Sequence, residues 1–540
     1  MNATRCRTSL AAISLGVLIP WAAGAAEMDP ALQAAMQDGG DVAFIAQFSD
    51  RLDLAAFPGR GRGDGMQLAS LLWALQHQAE VSQQGAVALL QKAGAKRIIE
   101  LWSINALAAT ASPKAIRDLA DLPEVEEIRL DSTLAAPSPE PAAEAVPEWN
   151  LTAVGAPALW ALSPSLTGDG TVVAGVDTGV DIGHPDLAGR WRGGSNSWYD
   201  PNGEHATPYD ASGHGTGTMS VAVGGDAGGS WIGVAPGAQW IAVKIFNDAG
   251  SATLSGIHQG FQWLLDPDGN PATVDIPDVV NNSWGFAQIA GECFTEFDQD
   301  IATLKAAGIA VVFSGGNHGT GGDVSPANNP EGFAVGAVDS SWTVPFTSSR
   351  GPSACDGTLF PELAAPGVNV RAADLTFNGA YPDSYVSLSG TSFAAPHVSG
   401  VMALLRQAEP GAWVEELEQA ITETAVDLGT PGPDNDSGHG LVDAPAALDK
   451  LVELIASRPL CNDVDGDGFF AESSCGTTPD CDDFDATVNP AACDIKGDGI
   501  DQDCDGSDRL KGKSCPVSGG GSDGGGSGGS GGGGGKGKKK

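Results

Sequence analysis

The chain has 540 residues, with 68 acidic against 28 basic side chains, a formal net charge of −40 and 42% hydrophobic residues. That balance argues against nucleic-acid binding, because a phosphate backbone needs a basic face. The length allows two to four domains, and a region of about 300 residues can bury a full core.

The first 25 residues read as a secretory signal. Arg5 and Arg7 form a basic start, Leu10 to Ala23 is apolar, and Ala23-Gly24-Ala25 offers a small-residue cleavage site. An anchoring helix needs about 20 apolar residues, and Pro20 interrupts a shorter run. No transmembrane segment is expected after signal removal, and the product is expected to be a monomer that is secreted, either extracellular or associated with a cell surface. Cys6 leaves with the signal and eight cysteines remain, an even number in an oxidising compartment. Cys293 and Cys355 are candidates to pair, two buried thiols being the alternative.

Residues 27–133 form a first module. Val42 to Phe48 alternates like a strand, Gln67 to Lys92 has helical composition, Ile98 to Ile104 is strand-like, Pro113 to Leu119 opens a short helix after Ser112, and Val125 to Leu130 alternates as a last strand. Residues 134–148 contain Pro137, Pro139, Pro141 and Pro147 and read as an exposed linker and processing site.

Residues 149–450 alternate apolar strands with helices. Thr171 to Val176, Trp240 to Phe246, Asp278 to Asn281, Ala310 to Phe313 and Phe333 to Val338 are nearly continuous apolar runs. Such runs suit a parallel sheet buried on both faces, so the fold class is α/β. Helices are expected over His214 to Val223 and Ser392 to Gln407.

Three motifs carry chemistry. Gly390-Thr391-Ser392 sets a serine between a tight turn and a helix, which presents a nucleophile. A hydroxyl needs a base, and His214 in Gly213-His214-Gly215-Thr216 supplies one; Asp177 in Val176-Asp177-Thr178-Gly179 can orient it. The order Asp, His, Ser, with separations of 37 and 178 residues, differs from the chymotrypsin and α/β-hydrolase orders. These motifs resemble those of the subtilisin-like serine peptidases, as does Phe313-Ser314-Gly315-Gly316-Asn317, which the resemblance makes the oxyanion segment with Asn317 as donor. The resemblance covers about residues 149 to 448, with the bacillopeptidase F-like enzymes as the nearest subgroup.

It implies a subtilisin-like three-layer fold with a mostly parallel central sheet, preceded by a small α+β inhibitory prodomain over residues 27–133. It further implies endopeptidase activity through an acyl-enzyme, with polypeptides as substrates, the chain's own prodomain as intramolecular inhibitor, and self-maturation by prodomain removal. Gly250-Ser251-Ala252, Ser283-Trp284-Gly285 and Gly315-Gly316 match substrate-binding segments. One departure is Gly217, where the family usually has a second histidine; a packing gap is expected there. The rival reading is a non-catalytic surface calcium-binding protein that uses the fold as scaffold.

From Cys461 the composition changes. Residues 461–508 hold 13 Asp and one Glu against one Lys, with Asp463, Asp465 and Asp467 before Gly468 and Asp501, Asp503 and Asp505 before Gly506. Alternating oxygen ligands before a turn glycine are what calcium loops use, although Ser474 and Gly512 stand where an EF-hand has glutamate. Residues 461–515 resemble thrombospondin type 3 repeats or the Cys/Asp-rich metal-binding motif of bacterial surface proteins. Structural calcium is expected, with copper or no metal as alternatives. The six cysteines here allow 15 pairings. Residues 518–540 form a Gly/Ser-rich tether with a terminal lysine cluster.

Overall fold

The computed structural model describes residues 26–57, 65–137, 140–141, 149–377 and 379–458, with 480–482, 484–489, 502 and 504 near the C-terminus. The chain divides into two compact units, Met1–Arg458 and Pro459–Lys540. The expected signal, the Gly/Ser tail and all six candidate calcium ligands (Asp463, Asp465, Asp467, Asp501, Asp503, Asp505) lie outside the described residues.

The first unit is built on seven parallel strands. Their order is Leu363–Pro366, Ala334–Val338, Ala310–Ser314, Val279–Asn282, Val172–Asp177, Gln239–Lys244 and Trp198–Tyr199. Side chains alternate across a strand, so both faces of an apolar run are buried only if helices cover both. Val173, Val279 and Val312 pack with Met219 of helix His214–Val223 and with Val398, Val401 and Leu405 of helix Thr391–Ala408. Ala174, Val280 and Val311 pack on the other face with Ile257 and Phe261 of helix Leu254–Leu265 and Leu304 of helix Asp298–Ala306. These are the three expected layers, and the five apolar runs are strands within a residue or two of the expected bounds.

The N-terminal module has a five-stranded sheet in the order Glu27–Met28, Val125–Leu130, Val42–Phe48, Ala106–Ala111, Lys96–Leu101, crossed by helices Gly65–Lys92 and Pro113–Ala120. The strand expected over Ile98–Ile104 stops at Leu101. The chain turns through Trp102–Ile104 and reverses at Asn105, whose φ of +49° a short polar side chain tolerates. One face of this sheet closes its own core around Phe44, Phe48, Ile116 and Leu119. The other face, with Ile45, Leu101 and Ala108, shares a core with Leu254, Ile257 and Leu304.

Polar groups pin that interface. The Asp131 carboxylate accepts from the backbone N–H and hydroxyl of Ser255, at 2.9 and 2.6 Å, at the start of helix Leu254–Leu265. The Arg129 Nε donates to both oxygens of buried Glu296 at 2.8–2.9 Å. Glu296 in turn accepts from His258 Nε2 at 2.8 Å, and His258 Nδ1 meets Asp300 at 2.7 Å. Burial opposes charge on this imidazole, but Asp300 and Glu296 outweigh it and push the pKa up to about 9.

The expected exposed linker is not free. Thr133–Ala135 runs antiparallel to Ser251–Thr253, with Leu134 only 2% exposed, and Glu140–Pro141 pairs antiparallel with Leu388–Ser389. Proline lacks a donor, yet Leu134, Ala135 and Ala136 keep theirs, so a proline-rich stretch can still add to a sheet edge.

Of the C-terminal unit, the described residues include a Cys481–Cys504 disulfide, with Asn489 N–H donating to the Gln502 carbonyl at 2.9 Å. That bridge removes both sulfurs as metal ligands beside Asp480.

Candidate functional site

Open α/β sheets place their sites beyond the carboxyl ends of strands, and here four side chains converge there. Asp177 ends its strand at the centre of the sheet. His214 opens helix His214–Val223, and its Nδ1 donates to Asp177 Oδ1 at 2.8 Å and lies 3.1 Å from Oδ2. Both are buried. Desolvation alone would lower the imidazole pKa, but the Asp177 charge and hydrogen bond, with Asp210 further off, hold it above its ordinary value.

Asp210 is a residue the motif reading missed. Its carboxylate accepts from the N–H groups of Ser212, Gly213 and Thr216 and from the Thr216 hydroxyl, at 2.7–3.0 Å. It thus fixes the turn that delivers His214. An Asp three residues before Gly213-His214-Gly215 is a turn signal the sequence did offer.

Ser392 stands in the first turn of the 18-residue helix Thr391–Ala408, where unpaired N–H groups favour developing negative charge. Its hydroxyl donates to the Ser283 carbonyl at 3.3 Å, and the Ser283 hydroxyl donates back to the Ser392 carbonyl at 2.8 Å. Gly390, at φ +141°, is confined to glycine: a β-carbon there would also sit 3.3 Å from Asn317 Nδ2. The Asn317 Oδ1 accepts from the N–H and hydroxyl of Thr391 at 2.9 and 3.1 Å. With Oδ1 so held, Nδ2 is the amide's free donor among the described residues.

Within the same helix, burial pushes His397 down to about 4. Its neutral ring donates from Nδ1 to the Phe393 carbonyl and accepts at Nε2 from Asn150 Nδ2, 2.8 Å away.

The substrate-segment candidates divide. Gly250-Ser251-Ala252 forms a sheet edge that the chain's own residues 133–136 cover, Ala136 N–H donating to the Gly250 carbonyl and Ala252 lying buried. Ser283-Trp284-Gly285 and Gly315-Gly316 continue from adjacent strands on either side of Ser392. The Trp284 side chain itself is 2% exposed and packs with Phe261, Phe297 and Phe313, so only its backbone can meet a substrate. At Gly217 no gap exists: a β-carbon would stand 3.2 Å from both Leu388 Cδ1 and Phe393 Cε1, which have closed over the position. Cys293 and Cys355 form a disulfide across a sequence separation of 62 residues, with Cys355 Sγ beside the Asn328 Oδ1.

For a hard cation, the structure offers Asp266, Asp268 and Asp275, whose oxygens approach within 4.8 Å of one another. Oδ1 of Asp266 and of Asp275 are buried without a partner among the described residues, and burial raises both carboxyl pKa values. Oxygen donors of this kind fit calcium.

The sheet, the helix-borne serine and histidine, and the strand-end aspartate define one class of α/β protein. The chain belongs to the subtilase family, whose description fits residues 168–440. It is 36% identical to Bacillopeptidase F of Bacillus subtilis strain 168 over 439 residues, 74% of this chain but 30% of that protein's length. It is 34% identical to the M-protease of Shouchella clausii over 349 residues, 64% of this chain and 80% of the relative. The solved structure of fervidolysin from Fervidobacterium pennivorans matches with a TM-score of 0.57 and 23% identity, covering 76% of this chain and 61% of that one. No helix among the described residues is long and apolar enough to cross a membrane.

Proposed function

We propose that the chain is a secreted serine endopeptidase that matures by cutting off its own N-terminal module. The observation that carries this reading is the Asp177–His214 hydrogen bond in a site that also holds Ser392 and Asn317. Ser392 Oγ would leave the Ser283 carbonyl, pass its proton to His214 Nε2 and attack the scissile carbonyl. Asp177 would keep the proton on Nδ1 and stabilise the imidazolium. The Asn317 amide and the Ser392 N–H would hold the oxyanion. Collapse of the adduct gives an acyl-enzyme on Ser392, with His214 returning its proton to the leaving amine, and water then releases the acyl group.

Strand addition along Ser251–Thr253 reads backbone rather than side chains, which suits polypeptide substrates in general. The chain's own residues lie there, so the module is assigned as an intramolecular inhibitor and its tether as the first substrate. Chain is anchored up to Ala136 on one side and from Glu140 on the other, where Glu140 pairs with Ser389, three residues before Ser392. The cut is therefore assigned between Pro137 and Glu140. Structural calcium is assigned to the Asp-rich tail loops.

The test is labelling by a fluorophosphonate, which reacts only with an activated serine. Labelling of the wild type and its loss in Ser392→Ala are expected; an unlabelled, folded chain would leave the calcium-binding scaffold.

A further inference from the structure

A side chain beside the scissile bond needs room between the two segments that flank Ser392. These segments leave adjacent strands, Asn282 being paired with Phe313. One is tied to Ser392 through the two Ser283 bonds; the other is tied to Thr391, whose hydroxyl accepts the Gly316 N–H at 3.1 Å. The crevice between them is already partly filled. A β-carbon on Gly285 would lie 2.8 Å from Val324 Cγ2, and one on Gly316 would lie 3.0 and 3.1 Å from Val324 Cγ2 and Cγ1. The isopropyl group thus wedges between Gly285 and Gly316 and is 3% exposed.

Val324 cannot easily withdraw. Its carbonyl accepts from Asn328 N–H at 3.1 Å, and the next carbonyl, of Ser325, accepts from Phe286 N–H at 2.9 Å. The preceding carboxylate, of Asp323, is bonded to Asn328 Nδ2 and Ala354 N–H at 2.7 and 2.8 Å. A buried valine alone would be read as core. Its place against two glycines that border Ser392 is what gives it a second role. If the cut falls where it is assigned above, the residues that can flank it are Pro137, Ser138 and Pro139, none of them long or aromatic.

We infer that Val324 sets the specificity, admitting polypeptides with a small residue on the amino side of the scissile bond and excluding aromatic ones. The inference rests on the endopeptidase reading. Hydrophobic pockets discriminate one methylene by on the order of 10- to 200-fold, and a phenyl ring exceeds an alanine methyl by far more.

The experiment uses the mature protein and anilides of succinyl-Ala-Ala-Pro-X, with X either Ala or Phe. The wild type is expected to show a kcat/KM at least tenfold higher for Ala. Val324→Gly is expected to raise the Phe value tenfold or more while the Ala value stays within about threefold, and Val324→Ala should move the ratio in the same direction should the glycine variant fold poorly. A wild type that labels with fluorophosphonate yet cleaves Phe as well as Ala overturns the inference alone. So does an unchanged ratio in both variants. A wild type that does not label overturns the peptidase reading and this one with it.

Discussion

The Ala136 N–H donates to the Gly250 carbonyl at 2.7 Å, so the module's exit strand, Thr133–Ala135, is continued along the edge formed by Gly250 to Thr253. On the self-processing reading, the peptide bonds that follow this strand are the ones Ser392 would cut. Ser392→Ala expressed in a protease-deficient host should accumulate as uncut precursor, with peptide hydrolysis lowered by roughly 10⁶, the subtilisin figure. In the wild type, the new amino terminus read by mass spectrometry should begin within Ser138 to Glu140. A mature-sized product from Ser392→Ala would refute self-processing.

Asn317 holds Thr391 with its oxygen and offers its nitrogen to the site. Asn317→Ala should reduce kcat by about 10² to 10³, again a subtilisin magnitude, with KM little changed. A rise in KM at constant kcat would instead make Asn317 a ground-state contact.

The charges of Asp177 and Asp210 hold His214 above the ordinary histidine pKa despite its burial. A general base must be unprotonated, so kcat/KM should fall with decreasing pH at a midpoint above 6.5. Asp210→Asn removes one negative charge and should move that midpoint to lower pH. Activity would then persist further into acid, even if the maximum rate drops because Thr216 loses an acceptor. A pH profile unmoved by the substitution would reduce Asp210 to scaffolding.

Arg129 crosses to Glu296, a carboxylate 2% exposed on its side chain. Removing one partner of a buried pair strands the other, at a cost of about 3–5 kcal/mol, less the share relieved by His258. The module carrying Arg129→Ala should inhibit the mature protein at least about tenfold more weakly when added in trans. Equal inhibition would show that the shared apolar face suffices.

Gly217 has Leu388 and Phe393 where a side chain would go. Gly217→His should overpack this point, by about 1–3 kcal/mol, and lower the melting temperature, because Phe393 also packs 5.8 Å from the His214 ring. A stabilised variant would mean that the two neighbours swing away freely.

What the sequence made legible follows from where the information is local. Val172–Asp177 or Ala310–Ser314 announce themselves by unbroken apolar runs, and Asp177, His214 and Ser392 by the glycines that shape their turns. The Arg129–Glu296–His258–Asp300 chain spans elements far apart in sequence, and no period marks ionic partners. The strands Val370–Ala373 and Tyr385–Ser389 are short and half polar, and they pair with each other through an irregular loop. The tether's two edge pairings were hidden by its prolines, which advertise a loop while the intervening N–H groups do the binding. Val324 looks like any core valine until Gly285 and Gly316 are seen on either side of it.

The Asn150–His397 hydrogen bond moors the chain just after the tether to the helix that carries Ser392. A cut between Pro137 and Glu140 then has unequal consequences for its two ends. The newly made amino terminus stays leashed by about ten residues, whereas the module loses its only covalent hold. If the module inhibits, its inhibition before the cut would be set by an effective concentration, of the order of millimolar for a short tether, and after it by the module's actual concentration in the medium. Dilution on export would thus act as the signal that releases activity, and the released module would become a polypeptide within reach of the site it had covered.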